Sequence, residues 1–139
     1  MKKAPRLILI AITVSCFDGG AVAHDVGAHP VTTTGLPELG DAWKEVNPYR
    51  GNGLAVTIGS SGYAQNCARC HGIEGLSGGF APDLRRLEPS PELDMYFEET
   101  VRQGRTRDGK VYMPPFEGIL SQEAIWAIRT YLESRFISD

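Results

Sequence analysis

Along its 139 residues the chain alternates between stretches of helical periodicity and stretches broken by glycine and proline. Leu93, Tyr96, Phe97, Thr100 and Val101 recur at i, i+3, i+4, i+7 and i+8, the stripe of a helix with one buried face. Ser90 supplies its cap, Pro91 its first position, Glu92 and Asp94 the acidic groups of its first turn, and Gly104 its stop. A second helix is expected after Ser121, with Glu123 in its first turn and Ile125, Ile128 and Leu132 as a core stripe flanked by Trp126 and Tyr131. Leu54 to Ala68 is ambiguous on pattern alone. Leu-Ala-Val-Thr-Ile suits a strand, whereas Gly59, Tyr63 and Cys67 at four-residue spacing suit one face of a helix. Glycine costs a helix interior about 1 kcal/mol relative to alanine, so Gly59 predicts close approach of another helix. Gly72 to Leu84 and Arg105 to Gly118 read as loops punctuated by glycine and proline. Residues 24–53 read as an irregular extension, with one short helical turn near Asp41 to Val46 and with Trp43 and Tyr49 pinning it to the core. The expected fold is all-α, about three main helices, with too few strand signals for a sheet.

The N-terminus stands apart from this pattern. Lys2, Lys3 and Arg6 precede an apolar run from Leu7 to Val14, and Ala21-Val22-Ala23 follows as a small-residue cleavage site. That order is a secretory signal peptide over residues 1–23, with an apolar run too short to span a membrane. A lipoprotein anchor on Cys16 is the rival, weakened by Thr13 where such signals place a leucine-like side chain. Cleavage after Ala23 changes the charge. The whole chain has 14 basic and 17 acidic side chains, and losing Lys2, Lys3, Arg6 and Asp18 leaves 11 and 16, a net charge of −5. An acidic chain of this kind is a poor partner for nucleic acid, which needs a basic surface.

Cleavage also removes Cys16, leaving two thiols, and both lie in Cys67-Ala68-Arg69-Cys70-His71. Residues three and four apart share a helical face, so both sulfurs and the imidazole can address one flat object. Two cysteines with a histidine directly after the second form the attachment signature of a c-type haem. A disulfide, a redox dithiol and half of a zinc site are the competing meanings. Zinc would want a second pair of ligands, and no other Cys-x-x-Cys or His-x-x-x-His is present. A thioredoxin-like dithiol would want strand-helix-strand surroundings, and this segment has none. His24 and His29 read as solvated histidines of the extension.

Such a haem needs its second axial side decided, and the processed chain has Met95 and Met113. Met95 lies two positions from Leu93, roughly 200° around the helix and so off its buried stripe. Met113 lies in an irregular stretch stiffened by Pro114-Pro115, where a thioether can face iron without disturbing a helix. The bland alternative is a gap-filling core methionine.

Taken together these residues resemble a class I cytochrome c. Gly59, Tyr63, Cys67, Cys70 and His71 match that family's first helix, and Ile128-x-x-Tyr131-Leu132 its last. Ala81-Pro82-Asp83-Leu84 resembles the loop whose proline carbonyl accepts the proton of the axial histidine, and Val111-Tyr112-Met113-Pro114 resembles the methionine loop. The match runs from about Leu54 to Phe136, making 54–139 the expected cytochrome domain. Asn47-Pro48-Tyr49-Arg50, Tyr63 to Cys67 and Ser121 to Trp126 are similar to a narrower group, periplasmic cytochromes that accept electrons from quinoprotein (PQQ-dependent) ethanol dehydrogenases. The resemblance implies one covalently bound haem c with iron held by His71 and Met113. It also implies a monomeric one-electron carrier rather than an enzyme, a periplasmic location, and delivery to a terminal oxidase. Carriage for methanol, sulfur or nitrite metabolism, and a haem sensor or peroxidatic protein, are the alternatives. Arg102, Arg105, Arg107 and Lys110 just before Met113 could rim a haem edge for docking, or stay solvated or pair with a propionate.

Overall fold

The computed structural model describes residues 27–138. The expected signal peptide, Cys16 and His24 lie outside that range. Helix α1 spans Gly53–Asn66, α2 Ala68–His71, α3 Pro91–Gln103 and α4 Gln122–Glu133. A short 3-10 turn at Ile73–Gly75 interrupts the stretch from Gly72 to Leu84 expected to be loop, and a second, Leu84–Arg86, follows at its end. The caps follow from chemistry. Ser90 Oγ accepts from the Leu93 amide, Ser121 Oγ from the Ala124 amide, and Asn52 Oδ1 from the Leu54 and Ala55 amides.

Helices α1 and α4 form the centre of the molecule. Gly59 meets α4 so closely that a Cβ there would lie 1.9 Å from the Ala127 carbonyl oxygen. Around that crossing Tyr63, Phe97, Val101, Phe116, Leu120, Ile125, Ile128, Tyr131 and Leu132 form one buried cluster. The Tyr63 and Tyr131 rings tilt at 46° with centroids 5.5 Å apart, a favourable aromatic geometry. Helix α4 is buried on nearly every side, including Trp126 and Arg129.

Two expectations fail. Arg105 to Gly118 is not all loop, because Arg105–Arg107 (β1) pairs antiparallel with Lys110–Met113 (β2). The turn is Asp108-Gly109, both at positive φ of 50° and 72°, the Asp-Gly pair that two-residue hairpins favour. There is also no helical turn at Asp41 to Val46. The backbone there is satisfied by a side chain instead: the Lys44 amide donates to Gln122 Oε1 at 2.7 Å, and Gln122 Nε2 donates to the Gly40 and Ala42 carbonyls.

Residues 27–52 form no helix or strand, yet they are built into the core. Leu36 and Tyr49 bury themselves against Ala55, Trp126 and Ala127, and the Leu39 amide donates to Glu123 Oε1 at 2.9 Å. Trp43 packs on the main cluster under the Arg102 guanidinium, 4.2 Å from its ring centroid. Beneath Asn47 lies a buried polar group. Arg129 Nε donates to Asp94 Oδ1 at 2.8 Å, both side chains being fully buried. Asp94 Oδ2 takes the Asn47 amide at 3.0 Å and Arg50 Nη2 at 2.6 Å, and Arg50 also reaches Glu133. Asn47 Nδ2 donates to Thr130 Oγ1 and to Glu133 Oε1. Two arginines and two carboxylates thus balance their charge where an unpaired one would be costly. The expected α3 stripe shifts accordingly: Asp94 is buried, while Tyr96 is half-exposed with Arg105 over its ring.

Candidate functional site

Helix α1 ends at Asn66. Cys67, with φ −117° and ψ −36°, turns the chain into α2. The Cys70 and His71 amides both donate to the Cys67 carbonyl, at 3.1 and 2.9 Å, so the five motif residues form one helical turn. Cys67, Cys70 and His71 therefore share a face, as their spacing requires. No disulfide joins Cys67 to Cys70. Cys67 packs against the main cluster.

After His71 the chain leaves through Gly72, whose carbonyl accepts the Tyr63 hydroxyl at 2.7 Å. The chain then returns to the histidine. His71 Nδ1 lies 3.1 Å from the Pro82 carbonyl oxygen. A carbonyl can only accept, so Nδ1 carries the proton and Nε2 keeps its lone pair for a metal.

Met113 closes β2 and packs, half-buried, against the same cluster as Cys67. It is held from both sides. On one side the hairpin pairs it with Arg105. On the other, the Phe116 amide donates to the Val101 carbonyl at 3.0 Å and the Glu117 amide to the Arg102 carbonyl at 3.3 Å, tying the loop to the end of α3. Gly104 makes room, since a Cβ there would sit 2.4 Å from the Met113 carbonyl oxygen. Met95 stands on the exposed side of α3, 44 % accessible, off the buried face.

The donors suit a covalently attached haem: two thiols on one turn, an imidazole with its metal-binding nitrogen open, and a thioether in a fixed loop. The surface supports that fit. Ile73, Leu76, Phe80, Val111 and Tyr112 are all more than half exposed, and all belong to the segments following His71 or preceding Met113. An apolar ring seated against the motif is the kind of partner that covers such groups. Among the described residues no group of three His, Cys, Asp or Glu side chains is placed to hold a metal ion, and two grooves, of about 300 and 650 Å³, run between the N-terminal segment and α1 (Thr57, Ile58, Ser61, Gln65) and between that segment and the start of α4 (Ser121, Glu123).

The four basic residues before Met113 do not act together. Arg102 is committed to Glu98, Glu117 and Trp43. Arg105 is committed to Thr100, the Gly104 carbonyl and the Tyr96 ring. Arg107, mostly exposed beside Asp108, and Lys110 remain at the hairpin tip. His29 supplies its backbone amide to Asn66 Oδ1 at 2.7 Å.

Residues 54–132 match the family profile described as cytochrome c oxidase, cbb3-type, subunit III. The chain is 50% identical over 138 residues to cytochrome c550 of Pseudomonas aeruginosa, covering 96% of this chain and 93% of that protein. It is 30% identical over 139 residues to the quinohemoprotein alcohol dehydrogenase ADH IIB of Pseudomonas putida, of which it spans only 18%. Among solved structures, the quinohemoprotein alcohol dehydrogenase ADHIIG of Pseudomonas putida superposes with a TM-score of 0.52 at 34% identity, over 72% of this chain and 14% of that one.

Proposed function

The chain belongs to the cytochrome c family, an electron-transfer protein rather than an enzyme, with covalently bound haem c, and on that premise we propose how its residues serve that task and whom it serves. Cys67 and Cys70 would hold the haem through two thioether links, His71 and Met113 would bind its iron, and the Pro82 carbonyl orients His71. The haem supplies one-electron exchange between ferrous and ferric iron. The chain supplies rigidity: both ligands sit on backbone tied down on either side, so little rearranges when the charge changes. A soft thioether favours the ferrous state and raises the potential. The observation that carries this assignment is the contact between His71 Nδ1 and the Pro82 oxygen, on the same turn as both thiols.

The donor we assign is a periplasmic PQQ-dependent alcohol dehydrogenase, and the acceptor a terminal oxidase. In ADH IIB and ADHIIG a stretch similar to this chain is one part of a larger quinohemoprotein dehydrogenase. That arrangement supports a free carrier doing for a separate dehydrogenase what the fused stretch does within one chain. Oxidising an alcohol to an aldehyde releases two electrons, so two carriers leave reduced per turnover. Residues 1–23 act as the export signal, residues 24–53 as an extension of the domain at 54–139, and the carrier works as a monomer. Among the described residues no helix is long and apolar enough to cross a membrane.

The ligand assignment predicts that the oxidised protein shows the iron–methionine charge-transfer band and that Met113→Ala abolishes it. Survival of the band would transfer the role to Met95. The partner assignment predicts rapid reduction on mixing with a PQQ-dependent ethanol dehydrogenase and ethanol. Failure to be reduced there would rule that donor out.

A further inference from the structure

The carbonyl that orients His71 sits in a loop with little packing of its own. From Ser77 the chain runs through Gly78 and Gly79, around which a Cβ would meet nothing within 4 Å. Contacts that stiffen such a segment must come from its ends. Proline fixes φ at residue 82, so the direction of its carbonyl is set by the peptide on each side.

Both flanking peptides are held. Ser77 Oγ donates to the Ala81 carbonyl, the group joined to the Pro82 nitrogen, and accepts from the Gly79 amide at 2.9 Å. One hydroxyl thus ties both limbs of the loop. On the far side, Asp83 caps the Leu84–Arg86 turn by accepting from the Arg85 amide at 3.0 Å, and Arg85 returns a fork to the same carboxylate at 3.1 and 2.8 Å. The turn is itself anchored, because the Ile137 amide donates to the Arg85 carbonyl at 2.9 Å.

We propose that Ser77 is a positioning residue for His71: its hydroxyl fixes the Ala81 peptide, which aims the Pro82 carbonyl at Nδ1. A carbonyl accepting firmly from Nδ1 makes an imidazole a better electron donor to its metal, which favours the ferric state. Removing the hydroxyl slackens the loop, weakens that bond and shifts the balance toward the ferrous state. This assignment rests on His71 being an iron ligand, as proposed above.

The test compares holoprotein carrying Ser77→Ala and Ser77→Thr with the parent, by potentiometric titration and by proton NMR of the His71 Nδ1–H. Ser77→Ala should make reduction about threefold more favourable, roughly 28 mV at 59 mV per tenfold for one electron. It should also speed exchange of the Nδ1 proton at least about tenfold. Threonine keeps the hydroxyl and should hold both readouts at the parent values. If Ser77→Ala leaves both readouts unmoved while the parent shows a hyperfine-shifted Nδ1 proton, Ser77 is structural only and the proposal fails by itself. A threonine variant shifted as far as the alanine variant would equally overturn it. If the parent shows no hyperfine-shifted His71 proton, the ligand assignment fails and this inference with it.

Discussion

Replacing Gly59 with alanine tests the helix crossing on which the site rests. The new methyl carbon would lie 1.9 Å from the Ala127 oxygen, 2.4 Å from its carbonyl carbon and 2.9 Å from the Ile128 nitrogen. All three are backbone atoms, so no side-chain rotation can absorb the clash. Ordinary contact begins near 3.5 Å, and α1 and α4 must part by roughly 1.5 Å to restore it. A gap of half to one ångström already forfeits a quarter to a half of the dispersion well for atoms lining a seam, and this seam is lined by Ala55, Tyr63, Ala127 and Ile128. Overpacking of this kind costs about 3 kcal/mol or more, the upper end of what well-packed cores show. Alanine returns about 1 kcal/mol of helix propensity. The net loss is about 2 kcal/mol at least, or about 8 °C in Tm at roughly 4 °C per kcal/mol. Thermal unfolding of the holoprotein followed by far-ultraviolet circular dichroism reads it. Gly53→Ala, in the same helix where a Cβ meets nothing within 4 Å, is the control and should leave Tm within a few degrees of the parent. A Gly59→Ala protein as stable as that control would refute the close crossing.

Asp94→Asn should destabilise by about 3 kcal/mol, because it leaves the buried Arg129 guanidinium short of its counter-charge; an unchanged urea midpoint would mean that the pair contributes nothing. Deleting residues 27–51 removes the buried Leu36, Asn47 and Tyr49, the two apolar anchors alone being worth about 1.5–3 kcal/mol each. The shortened holoprotein should unfold at a clearly lower urea concentration, and an unshifted midpoint would show the segment to be dispensable for the fold.

The legibility of each part in the sequence followed the physics that holds it. Helices α3 and α4 carry periodic apolar positions and side-chain caps, both local signals, and could be placed closely. Helix α1 could not be read from periodicity, since its buried residues are Ala55, Gly59, Gly62 and Tyr63, mostly too small to mark a stripe. The Cys-x-x-Cys-His motif and Gly59 settled it. The hairpin was missed because its strands are three and four residues long and largely exposed on both faces, so no alternation arises; Asp108-Gly109 was its available signal. The buried group around Asp94 was invisible for a different reason. Asp94 looks like any first-turn acid, Arg129 lies 35 positions away, and no local rule joins them. The same holds for Ser77, whose role depends on a loop closing over it. Its cue is a serine beside two glycines ahead of Ala81-Pro82-Asp83, which is too common a pattern to single out.

The bonds joining residues 39–47 to α4 connect positions 78 to 86 apart in sequence. A ribosome makes the first partners long before the second, so the Asn47 side-chain NH2 waits for Thr130 and Glu133 long after Asp94 is in place for its backbone amide. Contacts of such separation close late, after the local helices. Residues 39–47 are in this sense fastened by α4, like a belt by its buckle. Nicking the chain near Glu133 would strip Arg50 and Asn47 of that carboxylate, leaving Arg50 with Asp94 alone and Asn47 with Asp94 and Thr130, so damage late in the chain would be felt in the segment around residues 47–50.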